Sequence, residues 1–156
     1  MLTIAKFDRF DIVNNIGEDK PSFTIWFSGC TIRCNECHNK QLWDKSSGNE
    51  MAVDNVVDII VRECHKLNTD TVVLLGGEPL DQELRDLYQL CADIHLHDIR
   101  IWLYTGYNYD EIPVVIKECV DVIKCGRYID ELKCDGFPSS TNQELWERID
   151  GNWVKV

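Results

Sequence analysis

The stretch CTIRCNECHN, Cys30 to Asn39, holds three cysteines spaced C-x-x-x-C-x-x-C: Cys30, Cys34 and Cys37. A structural zinc site takes four ligands, commonly as two paired knuckles. This chain has one such cluster and no second C-x-x-C, and His38 lies too near Cys37 in sequence to serve the same tetrahedral ion well. A redox dithiol at Cys34 and Cys37 would leave Cys30 without a role. A [4Fe–4S] cube suits the pattern better. Each of its irons carries three bridging sulfides and one outside ligand, so three thiolates on one loop leave one iron open to a ligand that can chelate it.

The elements around this loop follow from hydrophobic periodicity. Phe23, Ile25 and Phe27 alternate with Thr24, Trp26 and Ser28 over Ser22–Gly29, which predicts a strand. Val53, Val56, Val57, Ile60, Val61, Cys64 and Leu67 recur at helical spacing. The run TVVLLGG predicts a strand buried on both faces. A second helix follows, with Leu84, Leu87, Tyr88 and Cys91 on one face and Asp81 as its cap. RIWLYTG and VDVIKCG predict two more strands, separated by a short helical piece broken at Pro113. The tail reads either as a helix over Thr141–Ile149 or as a hairpin about Asp150-Gly151. Strands alternating with helices predict an α/β fold built on a parallel sheet. A complete eightfold barrel takes about 250 residues, so 156 residues predict one domain, residues 1–156, with a partial barrel or an open, mostly parallel sheet. The cysteines, the turn Gly76-Gly77-Glu78-Pro79, Thr105-Gly106 and Cys125-Gly126 all follow strands. They therefore fall at the carboxyl ends, where such sheets bind ligands.

Composition narrows the classes of function. Lys and Arg number 16 against 27 Asp and Glu, a net charge of −11. That balance argues against nucleic-acid and membrane-lipid partners. No apolar run approaches a membrane span, and the N-terminal stretch carries charges where a signal peptide needs its apolar centre. The expectation is a soluble, cytoplasmic protein whose clustered cysteines serve metal or catalysis rather than disulfides. Cys64 and Cys91 read as packing residues; Cys119, Cys125 and Cys134 are too irregularly spaced for a second metal set and read as buried or plain surface residues, with Cys125 at the binding end. His95 and His97 read as helix-end residues, and Tyr104 and Tyr107 as either pocket or core.

C-x-x-x-C-x-x-C after the first predicted strand, with Gly-Gly-Glu-Pro after the second, resembles the radical S-adenosylmethionine (SAM) enzymes. The segment CHNKQLWD, Cys37 to Asp44, is similar to the activases of glycyl radical enzymes. DVIKCGRYIDEL, Asp121 to Leu132, and GFPSSTNQ, Gly136 to Gln143, resemble the activating proteins of anaerobic ribonucleoside-triphosphate reductase, which are about this short. The resemblance implies a [4Fe–4S] cluster on Cys30, Cys34 and Cys37. It implies SAM contacts at Glu36, Cys37, His38, Gly76, Gly77, Glu78 and Pro79, with the glycine carbonyls accepting from the SAM ammonium. Glu36 stands where many relatives carry an aromatic residue, so only a backbone role is carried over to it. His38 is expected beside the cluster, tuning it by hydrogen bonding. The implied activity is reductive SAM cleavage that forms a glycyl radical on the reductase. The implied partners are the large subunit of that reductase and an electron donor such as a flavodoxin, in a homodimer or a hetero-oligomer with the reductase. Activation of another glycyl radical enzyme, such as pyruvate formate-lyase, is the neighbouring alternative, and a non-catalytic iron–sulfur or zinc protein is the alternative of a different class.

Overall fold

Four parallel strands form the centre of one eight-stranded sheet. The computed structural model describes residues 1–15 and 18–156, and the side chains of residues 1–9 and 21–156. Its strands are β1 (Leu2–Asn15), β2 (Glu18–Phe27), β3 (Asn49–Met51), β4 (Thr71–Gly76), β5 (Arg100–Tyr104), β6 (Val122–Cys125), β7 (Glu144–Ile149) and β8 (Asn152–Lys155). The helices are α1 (Val53–Leu67), α2 (Leu84–His95) and the single-turn α3 (Val114–Lys117). Strand order is β3-β1-β2-β4-β5-β6-β7-β8. The pairs β2–β4, β4–β5 and β5–β6 are parallel. On one flank β1 lies antiparallel to β2 and β3 antiparallel to β1. On the other, β7 lies antiparallel to β6 and β8 to β7.

The α/β class and the order of central elements agree with the sequence, but the sheet is mixed rather than mostly parallel. Among the described residues β3 and β8 are its two edges and do not pair with each other, so the sheet is open. The difference arises at both ends of the chain. β1 is a strand the hydrophobic pattern does not reveal, because its register against β2 shifts between Ile4 and Lys6 and again between Asp8 and Asp11. Each irregularity breaks the two-residue alternation on which strand recognition depends. At the other end the hairpin reading is correct and the helix over Thr141–Ile149 is not. Asp150 and Gly151 both take positive φ, 50° and 80°, the combination that a two-residue turn needs to match the twist of its strands.

All three helices feed one core. Val56 and Ile60 of α1, Leu87, Leu90 and Ile94 of α2, and Ile116 of α3 pack with Phe23, Ile25, Phe27, Leu74, Ile101, Leu103 and Ile123 from a single face of the sheet. Each fully buried aliphatic side chain contributes about 1.5–3 kcal/mol. α1 ends where predicted, with Asn68 left-handed at φ 52° and its N–H turned back to the Cys64 carbonyl. α2 departs from expectation. Its N-cap is Glu83 rather than Asp81, and its buried residues are Leu87, Leu90, Cys91 and Ile94. Leu84 and Tyr88 are exposed. The opposite face carries a smaller cluster of Val73, Trp102 and Val122, flanked by Leu75, Tyr104 and Leu145.

Candidate functional site

Pairing places Tyr104 beside Lys124 across β5 and β6, one pleat beyond the dry row Val73, Trp102 and Val122. Leu75 occupies the corresponding pleat of β4. Leu75, Tyr104 and Lys124 line a cavity of about 310 Å³ at the carboxyl ends of the parallel strands. Cys30, Cys34, Cys37, His38, Gly76, Gly77 and Glu78 line it too. The structure thus brings together most of the residues singled out in the sequence. Glu36 and Pro79 are not among the lining residues: Glu36 is exposed and Pro79 is buried.

The cysteine loop is fastened at several points by the backbone. The Gly29 N–H donates to the Leu42 carbonyl at 2.7 Å and that of Cys30 to the Trp43 carbonyl at 3.1 Å. The turn after β4 grips the same loop: the Gly77 N–H donates to Phe27 O (2.8 Å) and the Glu78 N–H to Gly29 O (2.9 Å). This contact explains Gly77, since a Cβ there would come within 2.5 Å of the Gly29 carbonyl oxygen and 2.9 Å of that of Leu42. Inside the loop, Arg33 and Glu36 take positive φ, 51° and 59°, and the Cys37 N–H closes on Cys34 O at 3.3 Å. The Asn39 N–H points at the Cys37 sulfur, 3.4 Å away. Burial pushes the Cys30 thiol up, opposed by hydrogen bonds from the Arg33 and Ile32 backbone. The exposed His38 ring lies tilted against Tyr128, centroids 5.7 Å apart.

Two carboxylates lock the loops around the cavity. Glu78 is 1% exposed. Its Oε1 accepts from the Leu80 N–H (2.9 Å) and the Thr105 hydroxyl (2.7 Å), and its Oε2 from the Gly106 N–H (2.8 Å). Desolvation outweighs these bonds and pushes its pKa up to about 7. Glu78 is therefore a positioning residue whose side chain is spent on the protein. Asp81, freed from the capping role, bridges the cysteine loop to the loop after β5. Its Oδ2 accepts from the Thr31 N–H (2.6 Å) and hydroxyl (2.9 Å), and its Oδ1 from the Tyr107 hydroxyl (2.7 Å). No sequence signal marks that bridge, because its three residues come from separate parts of the chain. Cys125, although it follows a strand at the binding end, is buried in the helix-side core, and its neighbour Lys124 faces the cavity.

The donor set is three free thiols. Cys64, Cys91, Cys119 and Cys125 are buried in the core on the other face, and the Cys134 thiol donates to Pro138 O at 3.3 Å. Among the described residues no three His, Cys, Asp or Glu side chains converge tightly enough for one metal ion. A [4Fe–4S] cube makes no such demand, because it spreads three thiolates over three irons. Three cysteines on a fastened loop, beside a cavity with room for a further ligand, fit that group.

Comparison with known proteins agrees. The family described as a 4Fe-4S single cluster domain matches residues 18–146. The anaerobic ribonucleoside-triphosphate reductase-activating protein of Enterobacteria phage T4 is 29% identical over 94% of this chain and 97% of its own length. The protein of that name from Salmonella typhimurium is 31% identical over 79% of this chain and 82% of its own. The pyruvate formate-lyase 1-activating enzyme of Escherichia coli is 29% identical over 79% of this chain, but only 52% of its own length is covered. The chain belongs to the anaerobic ribonucleoside-triphosphate reductase-activating family, radical SAM enzymes whose cofactors are a [4Fe–4S] cluster and SAM.

Proposed function

We propose that this protein installs a glycyl radical on the large subunit of an anaerobic ribonucleoside-triphosphate reductase. In this reading Cys30, Cys34 and Cys37 hold the cluster. A cluster held there, with SAM bound beside it, would supply the one-electron, hydrogen-abstracting chemistry that a glycine Cα requires. Everything else falls to the chain's own residues. The backbone of Gly76 and Gly77 receives the methionyl end of SAM, with Cys37 and His38 beside it. Glu36 has no side-chain role, because its left-handed turn carries the side chain to the exposed side. Glu78, Pro79 and Asp81 hold the three loops in register, which keeps the reacting groups oriented and limits water. The electron comes from a small carrier such as a flavodoxin. The assembly is a homodimer or a complex with the reductase.

The observation that carries this reading is the three-thiol loop, bonded through Gly29 and Phe27 to the turn at Gly77 and Glu78 and opening on one cavity. The test mixes the anaerobically reconstituted protein with SAM, reductant and the reductase, with pyruvate formate-lyase as a parallel substrate. A glycyl radical seen by electron paramagnetic resonance on the reductase is expected. Cys30→Ala, Cys34→Ala and Cys37→Ala each abolish it, whereas Cys64→Ala leaves it and costs about 1–3 kcal/mol of stability. A signal on the lyase alone would transfer the activity to that partner.

A further inference from the structure

Lys124 is a cation with no anion. It sits on the inner pleat of β6 and lines the cavity. Its Nζ lies 5.0 Å from the ring centroid of Tyr104, on the sheet, and 5.9 Å from that of Phe137, on the loop before β7. Among the described residues it makes no salt bridge, although nine ion pairs form elsewhere. Glu78 is the one carboxylate among the lining residues, and both its oxygens are already committed to Leu80, Thr105 and Gly106. Burial depresses the Lys124 pKa, which marks how incompletely the rings compensate for lost water. Ring faces offset only part of the cost of partly burying an unpaired ammonium. On a chain with a net charge of −11, a cavity-lining cation that pairs with no carboxylate among the described residues is a site for a charge brought from outside.

We infer that Lys124 is the receptor for a carboxylate carried by the cavity's occupant, held beside the packed pair of Tyr104 and Phe137 rings. This rests on the proposed function, which supplies two carboxylates: that of the SAM methionyl group and one on the polypeptide substrate. Lys124 lines the same cavity as Gly76 and Gly77, which the proposed function gives to the methionyl end of SAM, and this favours the first.

The test compares the wild type, Lys124→Met and Lys124→Arg, each with its cluster reconstituted and its iron content and thermal unfolding checked. Equilibrium binding is measured for SAM and for decarboxylated SAM, and association is measured with the reductase. The expected result is SAM binding weakened about ten- to a hundredfold in Lys124→Met, restored in large part by Lys124→Arg, with decarboxylated SAM bound equally by all three. Unchanged SAM binding with weakened reductase association would assign the carboxylate to the polypeptide and still support the inference. Equal losses for SAM and decarboxylated SAM, or no loss in either assay, would overturn it. So would a shift in the cluster's potential with both affinities intact, since the ammonium would then serve the cluster. Failure of the wild type to bind SAM at all would bring down the proposed function instead, and the inference with it.

Discussion

Glu78 shows what a single side chain contributes at this site. Its pKa rises from 4.5 to about 7 on folding, so in that interval the native state keeps a proton that the unfolded chain has released. The resulting stability is fully present below pH 4.5 and is lost as pH rises through 7. Glu78→Gln cannot titrate. In cluster-free protein, the unfolding free energy of wild type minus variant should therefore fall by on the order of 3 kcal/mol between pH 4.5 and 7. A flat difference across denaturant titrations in that range would show that the carboxyl is not desolvated as described. The glutamine should also carry a pH-independent loss of about 1–3 kcal/mol, because its amide presents a donor to the Gly106 N–H. At this scale the sequence was only partly legible. Spacing singled out the three cysteines, and the Gly-Gly turn was marked by its place after the second predicted strand and by the family resemblance. Asp81 and Lys124 were not recognised, because one acts through contacts between distant loops and the other through the absence of a partner.

At the scale of elements, legibility followed the regularity of the pattern. β2 and α1 have clean periodicities, β4 is a continuous apolar run ended by glycines, and these were recognised together with β5 and β6. β1 was hidden by its two register shifts, and α2 was read with Leu84 and Tyr88 inward because an apolar residue counts toward a face whether or not anything packs on it. The tail was ambiguous because the alternation from Glu144 onward serves helix and strand alike. The turn at Asp150-Gly151 decides it. Gly151→Ala meets nothing within 4 Å, yet must hold φ at +80°. The cost is therefore purely conformational, about 1–2 kcal/mol. Thermal unfolding should register that loss while iron content after reconstitution stays at the wild-type level. A matching loss of iron would mean that the β7–β8 hairpin shapes the cavity directly.

For the whole molecule, the notable contact far from the cavity is Asp121, which ties the end of α2 and the C-terminal hairpin to the sheet. It accepts from His95 Nε2 (2.9 Å) and the Ile101 N–H (2.8 Å) and faces Arg148 at 3.5 Å. Burial opposes its ionisation, but the bonds from His95 and Ile101, with the nearby positive charges, hold its carboxyl below the usual 3.8. The sign is opposite to that of Glu78: the contribution is present above pH 3.8 and is lost as pH falls through the native pKa. Asp121→Asn should therefore be less stable than the wild type near neutrality, and acid titration followed by circular dichroism should show the two converging below pH 3.8.

The bonds around Glu78 have a consequence for how the molecule comes apart. Through its N–H to Gly29, its carboxylate to Gly106 and Thr105, and the adjacent Asp81 to Thr31 and Tyr107, three loops share one set of fastenings. None can swing out without releasing donors in the others. The rim of the cavity therefore behaves as one cooperative opening unit, with the amides of Thr31, Glu78 and Gly106 sharing a single opening free energy. Release of the cysteine loop is then an all-or-none event rather than the fraying of one segment.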